Sequence, residues 1–351
     1  MLMFRKFFFY LALVSLVAAA GCNREEGVKE IVCDTENAVA LNVLDAGIFQ
    51  ETALEPVPLL APSHIEIPGD GGLYFRSNDS LYRYSLQDGR RERIYGQRGR
   101  AKNEYANIWE YWLDGDSVCI YDVNANRLLR YSRDGEWQDS QVVMATEYSF
   151  QALCRLDDEH WLAQMNFRGD PGVTPRLGIF DNDFGFCRPV GPWTLLSGTY
   201  VSYPFCRNAE GVLYNAPLSD ELIQVTPETE YVKYKIVFKD GTMKLENYEN
   251  EWALLMAYDV ERGRRDFSFL PQGFYEDGNY LGFRYTSSKK GPMLALYDMR
   301  KGVTHCFSLG LPEEWQCRDA VIRDGKVYLV IYGEDLGLRL MSTDIKTLLA
   351  Q

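Results

Sequence analysis

Short runs in which apolar and polar residues alternate, each closed by an Asp-Gly or Asn-rich turn, recur along most of the chain. Between residues 94 and 135, a turn carrying Gly96 and Gly99 leads to Glu104 and Tyr105. SVCIYD (Ser117–Asp122) and RLLRYSRDG (127–135) follow, joined by VNAN. Val118 and Ile120, then Leu129 and Tyr131, alternate with their neighbours at the period of half-buried antiparallel strands. The stretch therefore predicts strand, tight connection, strand and Asp-Gly turn.

The unit repeats. SLYRYSLQDG ends at Gly89; Tyr84 and Tyr131 stand 47 residues apart, and Asp88 and Asp134 stand 46 apart. RLGIFDNDFG ends at Gly185, 50 residues after Gly135, and Val225 of ELIQV lies 45 after Phe180. PMLALYDMRKG (292–302) and GLRLMSTDI (337–345) complete the series. A step of 45–50 residues holding about four short strands is the period of a propeller blade. One blade cannot bury both faces of its sheet, whereas a ring of blades can. The alternative, a β-sandwich of many hairpins, gives no reason for the spacing to recur.

The expected fold is all-β: a six-bladed propeller of four-stranded antiparallel blades. The blades fall near 64–99, 104–137, 150–185, 203–238, 272–302 and 318–347. Residues 239–266 break the period. Within them ENYENEWALLMAYDVER carries Trp252, Leu255, Met256 and Tyr258 at helical spacing and predicts a short helix in an insertion between blades. A seventh blade would require that stretch to be a degenerate one. Residues 54–60 hold two prolines and suit an edge or the ring closure. Closure is expected to mix strands from the two termini, which removes a free sheet edge.

The N-terminus adds an address. Arg5 and Lys6 precede an apolar run over residues 7–20, then small residues up to Cys22. The run is short for a membrane span. The segment around Ala19, Ala20, Gly21 and Cys22 resembles a bacterial lipoprotein signal, which implies cleavage before Cys22 and its acylation; the alternative is plain signal cleavage near Ala20. Several acyl chains on one residue hold a soluble domain at a bilayer. Asn23, Arg24, Glu25 and Glu26 resemble the export tag of surface lipoproteins in Bacteroides-like bacteria, and otherwise begin a solvated tether. The organisation expected is a signal over 1–21, a tether and first extended segment over 22–42, and one propeller over 43–351.

Composition narrows the function. The formal net charge is -13, with aromatics at 14%. An acidic chain with no basic cluster argues against nucleic acid as a partner. The cysteines beyond Cys22 lack the close spacing of a metal or redox site, and a disulfide is permitted by an exported compartment but not indicated.

The stretch from residue 94 to 135 resembles an NHL-type repeat and, more specifically, the six-bladed propeller lipoproteins of the Bacteroides group. The residues that carry the likeness are Gly96, Gly99, Glu104-Tyr105, the run 119–122 and the run 129–135. Residues 100–103 replace a further Gly-Pro of that pattern, and Ser132 replaces an Asp. The resemblance implies a scaffold at the outer membrane, more at the cell surface than at the periplasmic face, and no particular reaction.

No catalytic set, metal site or cofactor is expected. His64, His160 and His305 lie far apart in the chain and in unlike blade positions. Acidic pairs such as Asp157-Asp158 and Glu313-Glu314 sit at turns, where they are ordinary. GxSxG and a phosphate-binding loop are absent. The candidate ligand-binding residues are Tyr105, Trp109 and Trp112, which precede or open an inner strand and could face the central funnel, and Arg76, which could reach the same face from blade one; the other reading places them as wedges between blades. The expected function is non-catalytic binding of a protein or glycan at one face of the ring, with the membrane as second partner through Cys22. The alternatives are a propeller hydrolase or lyase with carboxylates in the funnel, and a structural subunit of a larger envelope complex.

Overall fold

The computed structural model describes residues 27–56, 62–77, 80–143, 148–167, 177–191, 203–216, 219–244, 247–249, 251–333 and 337–351. The signal, Cys22 and the acidic tag lie outside the described residues.

Three strands precede the first blade: β1 (Lys29–Cys33), β2 (Val39–Asn42) and β3 (Gln50–Ala53). Blade one is β4 (Ser63–Glu66), β5 (Gly72–Ser77), β6 (Ser80–Ser85) and β7 (Arg91–Tyr95). Blade two is β8 (Ile108–Asp114), β9 (Ser117–Asp122), β10 (Arg127–Ser132) and β11 (Trp137–Val142). Blade three is β12 (Tyr148–Arg155), β13 (His160–Phe167), β14 (Leu177–Asp181) and β15 (Phe186–Pro189). Blade four follows as β16 (Phe205–Asn208), β17 (Gly211–Asn215), β18 (Glu221–Val225) and β19 (Glu230–Phe238). Helix α1 (Glu251–Arg262) then leads to blade five: β20 (Ser268–Asp277), β21 (Tyr280–Ser287), β22 (Gly291–Asp298) and β23 (Val303–Gly310). Blade six is β24 (Trp315–Arg323), β25 (Lys326–Gly333) and β26 (Gly337–Asp344), with the short helix α2 (Ile345–Leu349) after it.

The fourth strand of blade six comes from the other terminus: β3 pairs antiparallel with β26, Thr52 opposite Leu340. This is the expected closure, and it leaves no blade short of an outer strand. The N-terminal segment does more than close the ring. β1 pairs parallel with β19 and β2 parallel with β23, so blades four and five are five-stranded. Residues 29–53 thus run as a strap along the outer edges of three successive blades.

Six hydrophobic clusters, each shared by two adjacent blades, show why the ring holds. Leu73, Phe75 and Tyr84 of blade one pack on Val330 and Leu340 of blade six, and the pattern continues around to Leu294 and Phe307 of blade five against Leu329 and Ile331 of blade six. Aromatic residues fill these wedges: Trp161, Tyr74, Tyr111 and Tyr121 are among the largest fully buried side chains. Broad rings suit a wedge that widens outward, and pairs such as Trp112 and Trp161 meet edge to face at 5.3 Å.

Candidate functional site

The inner strands β4, β8, β12, β20 and β24 share a fault that shapes the ring axis. Each slips register against its neighbour, at His64, Trp109, Gln151 and Arg318 in four of them and twice along β20. A bulge frees backbone groups from the ladder, and those groups need partners. The neighbouring blade supplies them. Tyr111 donates its hydroxyl to the His64 carbonyl at 2.9 Å, and Arg76 donates to the carbonyls of Ile108 and Trp109. Trp109 Nε1 donates to the Gln151 carbonyl at 2.9 Å, and Arg284 Nη1 to the Cys317 carbonyl at 3.0 Å.

Carboxylates follow two of these bulges at matching places. Glu110 follows Trp109 and accepts from the Tyr111 amide; Asp319 follows Arg318 and accepts from the Ala320 amide. Asp319 is paired with Arg284 at 3.2 Å and takes the Tyr275 hydroxyl at 3.1 Å. Glu110 is paired with His64 instead.

His64 is the centre of the site. Its backbone is left-handed (φ +46), a conformation that histidine tolerates better than most residues but that still stores strain. The ring is buried, stacked on Tyr203 at 3.9 Å and close to Tyr111 at 4.4 Å. Nδ1 lies 2.5 Å from Glu110 Oε1, and Nε2 lies 3.1 Å from Glu66 Oε1 in an ion pair too oblique for a hydrogen bond. Burial alone pushes the imidazole toward the neutral form, but the charge and hydrogen bond of Glu110, with the nearby charge of Glu66, win and raise its pKa to about 9. Burial likewise pushes the Glu110 carboxyl up, but the His64 cation and Arg76 outweigh it and hold the group below its ordinary value. His64 is therefore a cation and Glu110 an anion at neutral pH.

A cavity of about 180 Å³ opens beside this group, at the end of the channel where the inner strands finish. All six blades line it. His64 and Glu66 contribute from blade one, Tyr203 and Phe205 from blade four, and Tyr275 and Glu276 from blade five. Three arginines stand around it, Arg155, Arg207 and Arg323, from blades three, four and six. Arg155 is held over the Trp161 ring at 4.5 Å and donates to the Asp158 carbonyl at 2.7 Å; Arg323 donates to the Pro68 carbonyl at 2.9 Å. Arg207 is exposed. Cys154 and Cys206 also face the cavity, and burial pushes both thiols up to about 12. Neither is a thiolate at neutral pH.

The four residues proposed from sequence are placed differently from one another. Trp112 is buried against Trp161 and also borders the cavity. Arg76 and Trp109 bridge bulges between blades as described above. Tyr105 is buried between blades one and two, with Tyr95 and Tyr131, and is not part of the cavity lining. Sequence reasoning missed His64, Glu66, Tyr203 and the three arginines. Their common signal, a place on or just before an inner strand, becomes readable only once blade boundaries are known. Among the described residues no group of His, Cys, Asp and Glu could hold a metal ion.

Comparison with known proteins agrees with this architecture. An exported protein of Bacteroides fragilis NCTC 9343 superposes with a TM-score of 0.67 at 13% identity, over 91% of this chain and 99% of that one. A member of the DUF4221 family from Bacteroides vulgatus superposes with a TM-score of 0.53 at 11% identity, over 85% and 96%. No curated protein matches the sequence. The family model described as "6-bladed beta-propeller", DUF5128, matches residues 59–313. With more than half of its length matched and six blades in its ring, the chain belongs to this family of six-bladed β-propellers.

Proposed function

We propose that the protein is a non-catalytic, envelope-anchored lipoprotein that holds an end group of a protein or glycan partner in the cavity at the mouth of its ring. The observation that carries the reading is the cavity itself: a small, aromatic-walled cup with arginines at its rim. Pockets that enclose a drug-sized ligand measure roughly 300–1,000 Å³, so a cavity of about 180 Å³ takes one sugar ring or one side chain of something larger. Guanidinium groups match carboxylates in geometry, and on a chain of net charge -13 this rim is a local basic spot. An anionic end group fits best.

The address supports the reading. The N-terminal residues resemble a lipoprotein signal with Cys22 as acceptor, and one structural relative is an exported protein. The proposed place is the outer membrane, with the ring on the cell surface. Brief protease treatment of intact cells tests it: loss of the propeller supports surface display, and protection until the outer membrane is opened places it on the periplasmic face.

Binding is tested by probing the full chain in detergent against arrays of acidic glycans and peptides, beside Arg207→Ala and Tyr203→Ala. Capture of one class of end group, lost in both variants, supports the proposal. Capture that both variants retain rules out this cavity.

One observation favours a second reading. Glu66 and Glu276 both line the cavity, as carboxylates in a hydrolase or lyase would. Release of product from a bound glycan, abolished by Glu276→Gln, would replace the binding reading with that one.

A further inference from the structure

We propose that Cys33 and Cys306 form a disulfide in the mature protein and so fasten the N-terminal strap to blade five. Cys33 is the last residue of β1, and Cys306 sits in β23, on a different blade. Both are buried in the cluster between blades four and five, with Ile31, Tyr234 and Tyr285. The two thiols are neighbours in that cluster, close enough to influence each other's ionisation, and the Tyr285 hydroxyl is the next neighbour of Cys306. Cys206 belongs to the same cluster but stands on β16, four strands in from β1, about 19 Å at the usual strand spacing of ~4.8 Å. The pairing is therefore specific to these two.

Neighbouring contacts hold the strap in register for it. Just past Cys33, Thr35 Oγ1 lies 2.9 Å from Ser268 Oγ and 3.3 Å from the Tyr285 hydroxyl. Lys239 reaches Asp34 at 2.6 Å, and Lys290 donates to the Glu36 carbonyl at 2.7 Å. β1 and β2 are edge strands, each paired on one side only with the ring. If the chain is anchored at Cys22, any pull from the membrane arrives first at β1. A bond from Cys33 to Cys306 passes that pull into blade five rather than letting the strap peel.

The chemistry needs an oxidant, and an exported compartment supplies one as a protein or small-molecule disulfide. Cys306 stands on β23 of the ring itself, so it is in place before the strap docks and its thiolate attacks first. Its sulfur bonds to one sulfur of the oxidant, and the oxidant's S–S bond breaks. The Cys33 sulfur then attacks the Cys306 sulfur of the mixed disulfide and expels the oxidant's second sulfur, so the oxidant ends as two thiol groups that carry the two protons lost by the cysteines. Cys33 is fully buried once the strap is docked, so exchange takes place while the strap is docking.

The inference relies on export but not on the ligand, and two arms separate these. The full chain isolated from its envelope is denatured and alkylated with and without prior reduction, and its peptides are mapped. The same chain, reduced and then refolded against oxidised glutathione, is mapped in parallel. A peptide joining Cys33 to Cys306 in both arms, with labelling of these two residues alone rising on reduction, is the expected result. The joined peptide in the glutathione arm alone supports the pair and counts against export. Free Cys33 and Cys306 in both arms, or either one joined to another cysteine, overturns the proposal.

Discussion

His64 Nδ1 of blade one lies 2.5 Å from Glu110 Oε1 of blade two, inside the protein and at the edge of the central cavity. The pair bridges the two blades where both inner strands are bulged, so it orders the cavity wall and the blade interface together. It also ties stability to pH.

The pH dependence has a definite sign. The folded pKa of His64, about 9, exceeds its ordinary 6.5, so its stabilisation is complete below pH 6.5 and is lost as pH rises through 9. The difference corresponds to about 3 kcal/mol. Glu110 acts oppositely: its pKa is lowered, so its stabilisation holds above the ordinary 4.5 and is lost as pH falls below that. Urea unfolding from pH 6 to 10 is expected to show the loss in the wild type and a flatter profile in His64→Gln. Parallel profiles would mean that His64 is neutral in the folded protein.

Arg284 and Asp319 fasten blade five to blade six. Both side chains are nearly buried, and removing one partner of such a pair leaves a charge without compensation, at about 3–5 kcal/mol. Arg284→Met is expected to lose about 3 kcal/mol in denaturant titration. Adding Asp319→Asn should recover part of the loss, since the stranded charge is then gone. Additive losses would place the cost in packing instead.

Ring closure can be probed at one glycine. Gly89 has φ +71, and a methyl group there would lie 2.1 Å from the carbonyl oxygen of Ala53, the last residue of closing strand β3. Gly135 has φ +84 but meets its nearest neighbour, Arg93, only at 3.6 Å. Gly135→Ala should therefore cost about 1 kcal/mol, from backbone strain alone. Gly89→Ala should cost at least twice that, about 2 kcal/mol or more, because β3 must also shift. Equal melting temperatures for the two variants would show that closure is looser than the contact implies.

Arg207 separates binding from stability. It is exposed at the cavity rim, so Arg207→Ala should leave the unfolding midpoint within about 0.5 kcal/mol of the wild type. Affinity for the captured end group should fall about tenfold or more if the guanidinium contacts it. Unchanged affinity would move the ligand away from blade four.

The ring was legible in the sequence for a physical reason: each blade is a local meander, so its strands and turns are neighbours in the chain and their spacing repeats. The run SVCIYD reads as a strand and is one, and 246–262 reads as helical and contains α1. Even closure followed from the need to cover an edge. The strap was less legible: residues 29–42 carry two edge strands, but nothing local says that they pair in parallel with blades four and five.

The site belongs to the other category. His64 and Glu110 are 46 positions apart, and Cys33 and Cys306 are much farther still. Neither pair has a local pattern, because neither is made within one blade. Trp109 and Trp112 show the same limit from the other side. Both stand on β8, yet Trp109 is spent on the carbonyl of Gln151 while Trp112 reaches the cavity. The bulge at Trp109 decides that, and the closed ring decides which neighbour each bulge meets. Sequence alone determined the blades and their order, since those depend on local alternation and turns, while the helix at 251–262, in place of a seventh blade, fixed their number at six in the structure. Which side chains converge on the axis was decided only by closing the ring, which brings residues distant in the chain within hydrogen-bonding reach.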